Sequence, residues 1–322
     1  MSARAWTAFA TVATLWGIPY LFIKIAVDDG MPPIFLSWAR VTLAAVVLLV
    51  LSGRAGVLGT TRAHLRWIAA YAVLELVVPL PLIAAGERHV ASSLAAILIA
   101  AVPMIIALLA IRFEPAERAT GRRAVGLAVG FAGVIALVGI DVSGQPAELL
   151  GALAILLAAV GYSIGPMLLN RHLTTIDPRA LMAVAMSITS VLLLPGAIAA
   201  PPHAAIDAEV LACIVVLGLF CTAAAFVLFS TLVAEIGPGR ATIITYVSPI
   251  VAVALGVAVL DERPGPGAVA GLLLILAGSW LSTDGRVPPG LLAGLARRRP
   301  RRSASDAAAP EPAGSEPVAL TL

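Results

Sequence analysis

The chain alternates between long apolar runs and short polar breaks. Ten of the runs are long enough to be membrane helices, because a span needs about 20 mostly apolar residues. They cover roughly residues 6–27, 33–51, 67–86, 90–111, 123–140, 149–169, 179–199, 210–234, 240–260 and 267–283. The breaks hold turn-forming sequences such as DDGMPP, TTIDPR and DERPGPG. The pattern predicts an all-α integral membrane protein with ten transmembrane helices.

The composition supports a membrane protein and disfavours an enzyme. Hydrophobic residues make up 60% of the chain and charged residues 12%, about half the charged fraction of a soluble domain. The sequence has no serine–histidine–acid set, no HExxH and no glycine-rich phosphate loop. Its two cysteines, Cys213 and Cys221, lie in one apolar run without a metal-binding pattern. We therefore expect no catalytic residues, no metal and no cofactor.

Basic residues are distributed unevenly between the two sides of the predicted membrane. If the N-terminus is cytoplasmic, the outer loops hold only Arg88 and Arg263, while Lys24 and Arg40 lie within spans. The cytoplasmic segments then hold the other 17 of the 21 Lys and Arg residues. Positive residues accumulate on the cytoplasmic side, so we expect both termini in the cytoplasm. The excess of Arg over Lys, 20 to 1, is typical of GC-rich bacterial genomes and favours a bacterial inner membrane.

A polar-then-apolar signature occurs twice. The sequence AERATGRRAVGLAVGFAG begins at Ala116, and DERPGPGAVAGLLLILAG begins at Asp261. Both contain Glu-Arg, seven residues, Gly, six residues and Gly, and a proline precedes each Glu, at Pro103 and at Pro249. Each half has five predicted helices, an odd number, so the second half enters the membrane upside down. Such inverted repeats are a device of secondary transporters.

The repeat divides the chain into three parts. We predict a first five-helix repeat over residues 1–141, a second, inverted repeat over residues 142–284 and a tail over residues 285–322. The tail begins with VPPGLLAGLARRRPRR and continues with Ala, Pro, Ser and Glu, a composition that cannot form a core. An arginine cluster beside a membrane helix favours contact with anionic lipid headgroups, so no nucleic-acid partner is expected.

Two charges lie within the predicted spans. Arg40 is in the second apolar run and Glu75 is near the middle of the third. An unpaired charge at such depth costs about 2.5–3.5 kcal/mol, so the two side chains either pair with each other or face a watery cavity. In the functional hypothesis Arg40 holds an anionic group of the substrate and Glu75 takes up a proton. A purely structural ion pair is the alternative.

Aromatic residues provide further candidates for the lining of a transport path. Trp16 and Tyr20 share one face of the first helix with Lys24, Tyr162 takes the place of Trp16 in the second half, and Tyr246 lies three residues before Pro249. An aromatic ring facing a cavity can stack on a planar or cationic ligand. Packing within the protein and anchoring at the membrane interface are the alternatives.

The prolines and glycines predict how the helices bend and pack. Pro103 and Pro249 lie mid-helix and would free the carbonyls of Ile99 and Thr245, either to line a path or simply to kink the helix. The glycines of the repeated signature lie along one face of the fifth and tenth helices, where small residues let helices approach closely. We expect that face to form the repeat interface or a homodimer contact rather than to touch substrate. Its members are Gly126, Gly130, Gly133, Gly271 and Gly278.

Taken together, these sequences resemble the drug/metabolite transporter superfamily, in its ten-helix EamA-type branch. The resemblance rests on LWGIPYLFIKIA, on the Arg of LSWARVTLA, on the helix prolines and on the duplicated signature, and it covers residues 6 to 283. It implies an inverted-repeat fold and export of small metabolites, commonly amino acids, usually presumed to be proton-driven. The chain departs from the family at Tyr162, where a tryptophan is common, and at Glu75, which the resemblance does not explain.

The expected function is secondary transport of a small-molecule substrate by alternating access, with export as the expected direction. The sequence contains no ATP-binding motif, so an ion gradient or the substrate's own gradient would supply the energy. An uptake carrier remains open as an alternative. A membrane sensor or scaffold that binds a ligand without moving it is a second alternative from another class.

Overall fold

The fold is built from helices alone in the part of the chain that the computed structural model describes, residues 2–113, 121–141, 145–236 and 244–282. These residues belong to one unit, Met1–Arg286. Glu117 of the first signature and the tail over residues 285–322 lie outside the described ranges, so the predictions made for them stay predictions.

The helices of the N-terminal half contain more interruptions than the apolar runs indicate. In chain order they are α1 (Ala3–Gly17), α2 (Pro19–Asp28), α3 (Pro33–Arg54), a 3₁₀ helix (Leu58–His64), α4 (Leu65–Ala72), a π-helical segment (Val73–Val77), α5 (Pro79–Glu87), α6 (Ser92–Ile99), α7 (Val102–Phe113) and α8 (Arg122–Asp141). Three of the predicted continuous helices, the first, third and fourth, are therefore divided into shorter pieces.

The helices of the C-terminal half are longer. They are α9 (Pro146–His172), α10 (Pro178–Ala199), α11 (Ala208–Val215), a second π-helical segment (Val216–Ala224), α12 (Ala225–Ile236), α13 (Ile244–Val259) and α14 (Pro266–Ser282). The two π segments, Val73–Val77 and Val216–Ala224, occur in the third helix of each half. They will be called the first and second π segments.

Seven helical stretches in the described residues are long and apolar enough to cross a membrane. They are Ala3–Asp28, Pro33–Arg54, Leu58–Glu87, Ser92–Leu109, Pro146–Leu169, Pro178–Ala199 and Ala208–Val233. Three shorter apolar helices are Ala124–Ile140, Ile244–Val259 and Pro266–Leu281. Each of these three borders on residues that are not described. The chain is thus a multi-pass, all-α membrane protein.

Prolines account for the divisions in the N-terminal half. Pro19 is the first residue of α2 and Pro79 the first residue of α5, the position where the missing N–H of proline costs least. Pro103 is the second residue of α7, and the fourth span is interrupted just before it at Ala100–Ala101. By contrast, α13 continues through Pro249. The loss of one backbone hydrogen bond does not end this helix, and the role predicted for Pro249 stays a prediction.

Two glycines and one capping carboxylate shape the helix ends at the loops. Gly30 after α2 and Gly56 after α3 have φ values of +89° and +68°, the left-handed conformation that glycine adopts without strain. The Asp177 carboxylate accepts from the backbone N–H of Arg179 at 2.9 Å and from its guanidinium at 2.8 Å. These bonds hold the pKa of Asp177 below its ordinary value and anchor the start of α10.

Helices from the two halves of the chain pack against each other. Helix α3 lies along α10, and α8 lies along α14. Helix α5 packs on α9, while α1 packs on α12 and α13. The outward surface is apolar: Ile135, Leu150, Val191, Ile198 and Leu273 are each more than 60% exposed. A water-facing protein does not expose so many large apolar side chains, so this surface faces lipid.

Candidate functional site

Arg40 is buried where the two halves meet. Its side chain is only 6% exposed, and its Nη2 donates to the Thr222 hydroxyl at 3.1 Å. Thr222 lies in the second π segment and donates in turn to the Leu217 carbonyl at 2.7 Å. The Nε of Arg40 is also buried but has no partner in the described structure. One donor of this guanidinium is therefore left for a ligand.

Glu75 lies in the first π segment and faces α9. Its Oε2 is buried without a hydrogen-bond partner among the described residues. Gly165 of α9 makes room for it, because a Cβ at that position would collide with Oε2 and lie 3.1 Å from the Glu75 Cδ. At Gly161, one turn earlier, a Cβ would lie 2.5 Å from the Leu74 carbonyl oxygen. Two glycines of α9 thus admit the first π segment and its carboxyl group.

Arg40 and Glu75 do not form the ion pair that was one of the two expected arrangements. No contact between them falls within the 4.0 Å expected of a salt bridge, and the Arg40 guanidinium binds Thr222 instead. Helix α3 turns Arg40 toward the second π segment, whereas the first π segment turns Glu75 toward α9. Tyr162 lies within electrostatic range of both.

Tyr20 and Tyr162 join Arg40 in one polar centre. Both hydroxyl groups lie within electrostatic range of the Arg40 guanidinium. Both rings pack against the same apolar cluster, which includes Ile23, Leu36 and Ala158, yet both side chains are only half-buried. The apolar cluster therefore brings residues of α2, α3 and α9 together in the interior.

Glu87 belongs to the same centre and was not found from the sequence. Its side chain is 0% exposed, and neither carboxylate oxygen has a hydrogen-bond partner in the described structure. Lys24 does not bind this carboxylate directly: its Nζ donates to the backbone carbonyl of Glu87 at 2.9 Å and pairs with Asp28 at 2.9 Å. Glu87 is the last residue of α5. In the sequence it stands next to Arg88 and His89, and such a polar stretch is typical of a loop.

Trp16 contacts other aromatic residues in the described structure. The Trp16 ring packs on Phe226 and Phe229 of α12, with centroid distances of 5.6 and 4.7 Å. These contacts agree with the packing alternative, and a place for Trp16 on the transport path stays a prediction. Tyr246 is half-buried near the start of α13.

The interruption before Pro103 also contacts α9. Ser163 donates to the Val102 carbonyl at 3.3 Å and to the Ala159 carbonyl of its own helix at 2.7 Å. A polar side chain thus partly satisfies the backbone at this break, which agrees with the need to pair every carbonyl in a membrane interior.

The signature glycines join α8 to α14. A Cβ on Gly278 would lie 2.5 Å from the Cα of Gly130 and 2.6 Å from the carbonyl oxygen of Gly126. A Cβ on Gly133 would lie 3.0 Å from the Gly271 carbonyl oxygen. The two backbones are therefore in direct contact. This glycine face is covered within the chain and is not available for a homodimer.

Glu262, the glutamate of the second signature, has a structural role. The Glu262 carboxylate accepts from the backbone N–H groups of Ser92 at 2.7 Å and of Ser93 at 3.0 Å, so it caps the start of α6. A pocket of about 510 Å³ lies beside this cap, and its lining includes His89, Glu148 and Arg263. The described residues hold no group of three His, Cys, Asp or Glu side chains able to bind a metal ion.

Comparison with known proteins identifies the class. The profile of the EamA-like transporter family matches residues 4–139 and again residues 149–283. A probable terminal-alkyne amino-acid exporter of Streptantibioticus cattleyicolor is 31% identical, over 87% of this chain and 93% of that protein. The uncharacterized inner membrane transporter YedA of Escherichia coli K12 is 29% identical, over 75% of this chain and 78% of that protein.

Two further comparisons extend this result. A probable amino-acid metabolite efflux pump of Escherichia coli K12 is 22% identical, over 88% of this chain and 96% of that protein. One solved crystal structure, 19% identical, has a TM-score of 0.63 and covers 88% of this chain and 99% of its own; it supports the fold alone. These findings define a multi-pass membrane transporter rather than an enzyme. The chain belongs to the EamA-like transporter family.

Proposed function

We propose that this transporter exports small metabolites, amino acids or related compounds, across a bacterial cytoplasmic membrane. The observation that carries the proposal is Arg40, a buried cation from one half that is held by Thr222 from the other half and keeps one donor unpaired. A charge in this position binds an anionic group of a solute near the middle of the membrane. The names of two relatives, an amino-acid exporter and an amino-acid efflux pump, favour the same substrate class.

The mechanism we propose is alternating access between two inverted halves of five spans each. Three observations support it: the family profile matches twice, a π segment occurs in the third helix of each half, and equivalent helices pair as α3 with α10 and α8 with α14. Insertions of the π type concentrate at functional sites. With ten spans and the observed bias of basic residues, both termini lie in the cytoplasm.

Each residue of the proposed path has a separate role. Arg40 binds the carboxylate of the substrate, and Glu75 takes up and releases a proton, which couples export to the proton gradient. Tyr20 and Tyr162 line the space beside Arg40. Trp16 and Tyr246 form the path toward the cytoplasm, on the side of α12 and α13.

The test is an untargeted comparison of metabolites inside and outside cells. One strain overproduces the protein, a second an Arg40→Ala form, and a third an Arg54→Ala form that loses an exposed arginine; equal membrane insertion of all three is checked first. We expect one class of compound to accumulate outside with the intact and Arg54→Ala proteins only. Depletion of that class from the medium would indicate uptake. Identical media, together with ligand binding but no counterflow in vesicles, would indicate a sensor and contradict the proposal.

A further inference from the structure

The start of α6 depends on the opposite half of the molecule for its cap. The N-cap position of α6 is Ala91, whose side chain offers no acceptor to the free N–H groups of the first turn. The acceptor is instead the Glu262 carboxylate, which binds the N–H groups of Ser92 at 2.7 Å and of Ser93 at 3.0 Å. The first match of the family profile contains α6, and the second contains Glu262. One half of the chain therefore completes a helix of the other half.

The chain around Glu262 is shaped to hold its carboxylate against α6. Asp261 has a φ of +53°, a left-handed conformation that is unfavourable for residues other than glycine. The N–H of Glu262 donates to the Gly256 carbonyl at 3.1 Å. A Cβ on Gly256 would lie 2.5 Å from Glu262 Oε2 and 3.0 Å from Ser92 Oγ, so a glycine leaves the room that both side chains need. The end of α13 and the residues after it thus fix the carboxylate at the start of α6.

This contact can be broken and formed again at little cost. When the carboxylate moves away, water can bind both the N–H groups of α6 and the ionised Glu262, so neither partner is left unsatisfied. A pocket of about 510 Å³ lies beside the contact, lined by His89 and Ser93 of the first half and by Arg263 of the second. His89 and Arg263 are exposed, so water reaches the contact from this side.

The contact lies at the end of the spans that the distribution of basic residues places outside, near Arg88 and Arg263. Alternating access requires the outer ends of the two halves to separate when a solute is released there. We propose that Glu262, Ser92 and Ser93 form an outer latch, which holds the two halves together on the outer side in this structure and opens for release. This inference rests on the proposed transport mechanism and adds a gate to it.

The experiment measures how often the outer latch opens. In a background with Cys213→Ala and Cys221→Ala, Ser92→Cys provides a reporter thiol at a side chain that is 0% exposed, while the backbone N–H groups stay in place. Intact cells that produce the full chain are treated with an impermeant maleimide, and the rate of labelling is measured. Glu262→Gln should raise this rate about tenfold or more, because it removes the charge and one of the two acceptor oxygens.

Three controls make the result specific. Glu148→Gln removes a carboxylate that lines the same pocket and has no bond to α6 in the described structure, and should leave the rate unchanged. Glu262→Asp keeps the charge on a shorter side chain and should give an intermediate rate. Ala44→Cys places a second reporter in the apolar core that α3 and α10 share. It should stay unlabelled with Glu262→Gln, which separates opening of the latch from general unfolding.

Several results would overturn the inference. They are an unchanged labelling rate in Glu262→Gln, an equal increase in Glu148→Gln, an increase shared by the Ala44→Cys reporter, and an increase seen only after permeabilisation. The measurement needs no transported solute, so it is independent of the metabolite comparison. Faster labelling in Glu262→Gln without any export would remove the transport function and keep the latch, whereas export with unchanged labelling would keep the function and remove the latch.

Discussion

At the residue scale, Glu75 is the group whose chemistry the proposed coupling depends on. We predict that Glu75→Gln abolishes the response of transport to a pH gradient and leaves counterflow of substrate active. The reason is that glutamine fits the same notch beside Gly165 but cannot exchange a proton. The measurement is efflux from proteoliposomes with and without an imposed pH gradient.

Glu209→Gln is the control for this variant, because Glu209 is an exposed carboxylate at the start of α11. Its transport should respond to the gradient as the intact protein does. A Glu75→Gln protein whose pH profile matches the intact protein would remove the proton role from Glu75.

The sequence predicted part of the polar centre, for a definite reason. Arg40 and Glu75 interrupt long apolar runs, where any charge is costly and therefore conspicuous. Glu87 was missed because α5 extends one residue beyond the predicted end of its span, into a charged stretch. The partner of Arg40, Thr222, lies 182 residues away; a lone threonine in an apolar helix gives no signal, and only the fold brings the two together.

At the element scale, the existence of helices followed from the apolar runs, whereas their interruptions did not. A π segment needs no characteristic residue, so nothing in Val73–Val77 or Val216–Ala224 distinguishes it from an ordinary helical turn. The division before Pro103 had a visible cause in the proline, yet Pro249 shows that the same residue leaves another helix continuous. Local sequence therefore limits where a helix is weakened, and packing decides where it is broken.

The contact between α9 and the first π segment gives an element-scale prediction. Gly161→Ala should lower stability by about 1–3 kcal/mol and reduce transport, because its Cβ would lie 2.5 Å from the Leu74 carbonyl oxygen and 3.0 Å from Pro79 Cγ. Both atoms belong to backbone or ring and cannot rotate away. The measurement is the thermal unfolding midpoint in detergent together with the counterflow rate.

Gly139→Ala provides the matched control, since a Cβ on this α8 glycine meets no atom within 4 Å. Alanine is also the better helix former, so this variant should unfold at the same or a higher temperature. A Gly161→Ala protein as stable and active as the Gly139→Ala protein would show that the π segment can move away from α9.

At the scale of the whole molecule, the polar centre lies where the two halves meet. Arg40, Tyr20 and Glu87 come from the first half, whereas Thr222 and Tyr162 come from the second. Neither half holds the guanidinium alone, so relative movement of the halves changes its surroundings. The alternating access proposed above requires such a dependence on both halves, and the proposal therefore depends on how the two halves are oriented in the membrane.

That orientation gives the last prediction. In a background with Cys213→Ala and Cys221→Ala, single cysteines replace two exposed residues at the end of the second helix of each half. They are Arg54, the last residue of α3, and His203, which follows α10. An impermeant maleimide applied to intact cells should label the His203→Cys protein, and should label the Arg54→Cys protein only after permeabilisation, because inverted halves place equivalent loops on opposite sides. Arg88→Cys, in a predicted outer loop, is the positive control. Labelling of both equivalent loops from one side would mean that the halves are parallel and would contradict the mechanism. Labelling of the Arg54→Cys protein alone would agree with inverted halves but would place the termini outside the cytoplasm.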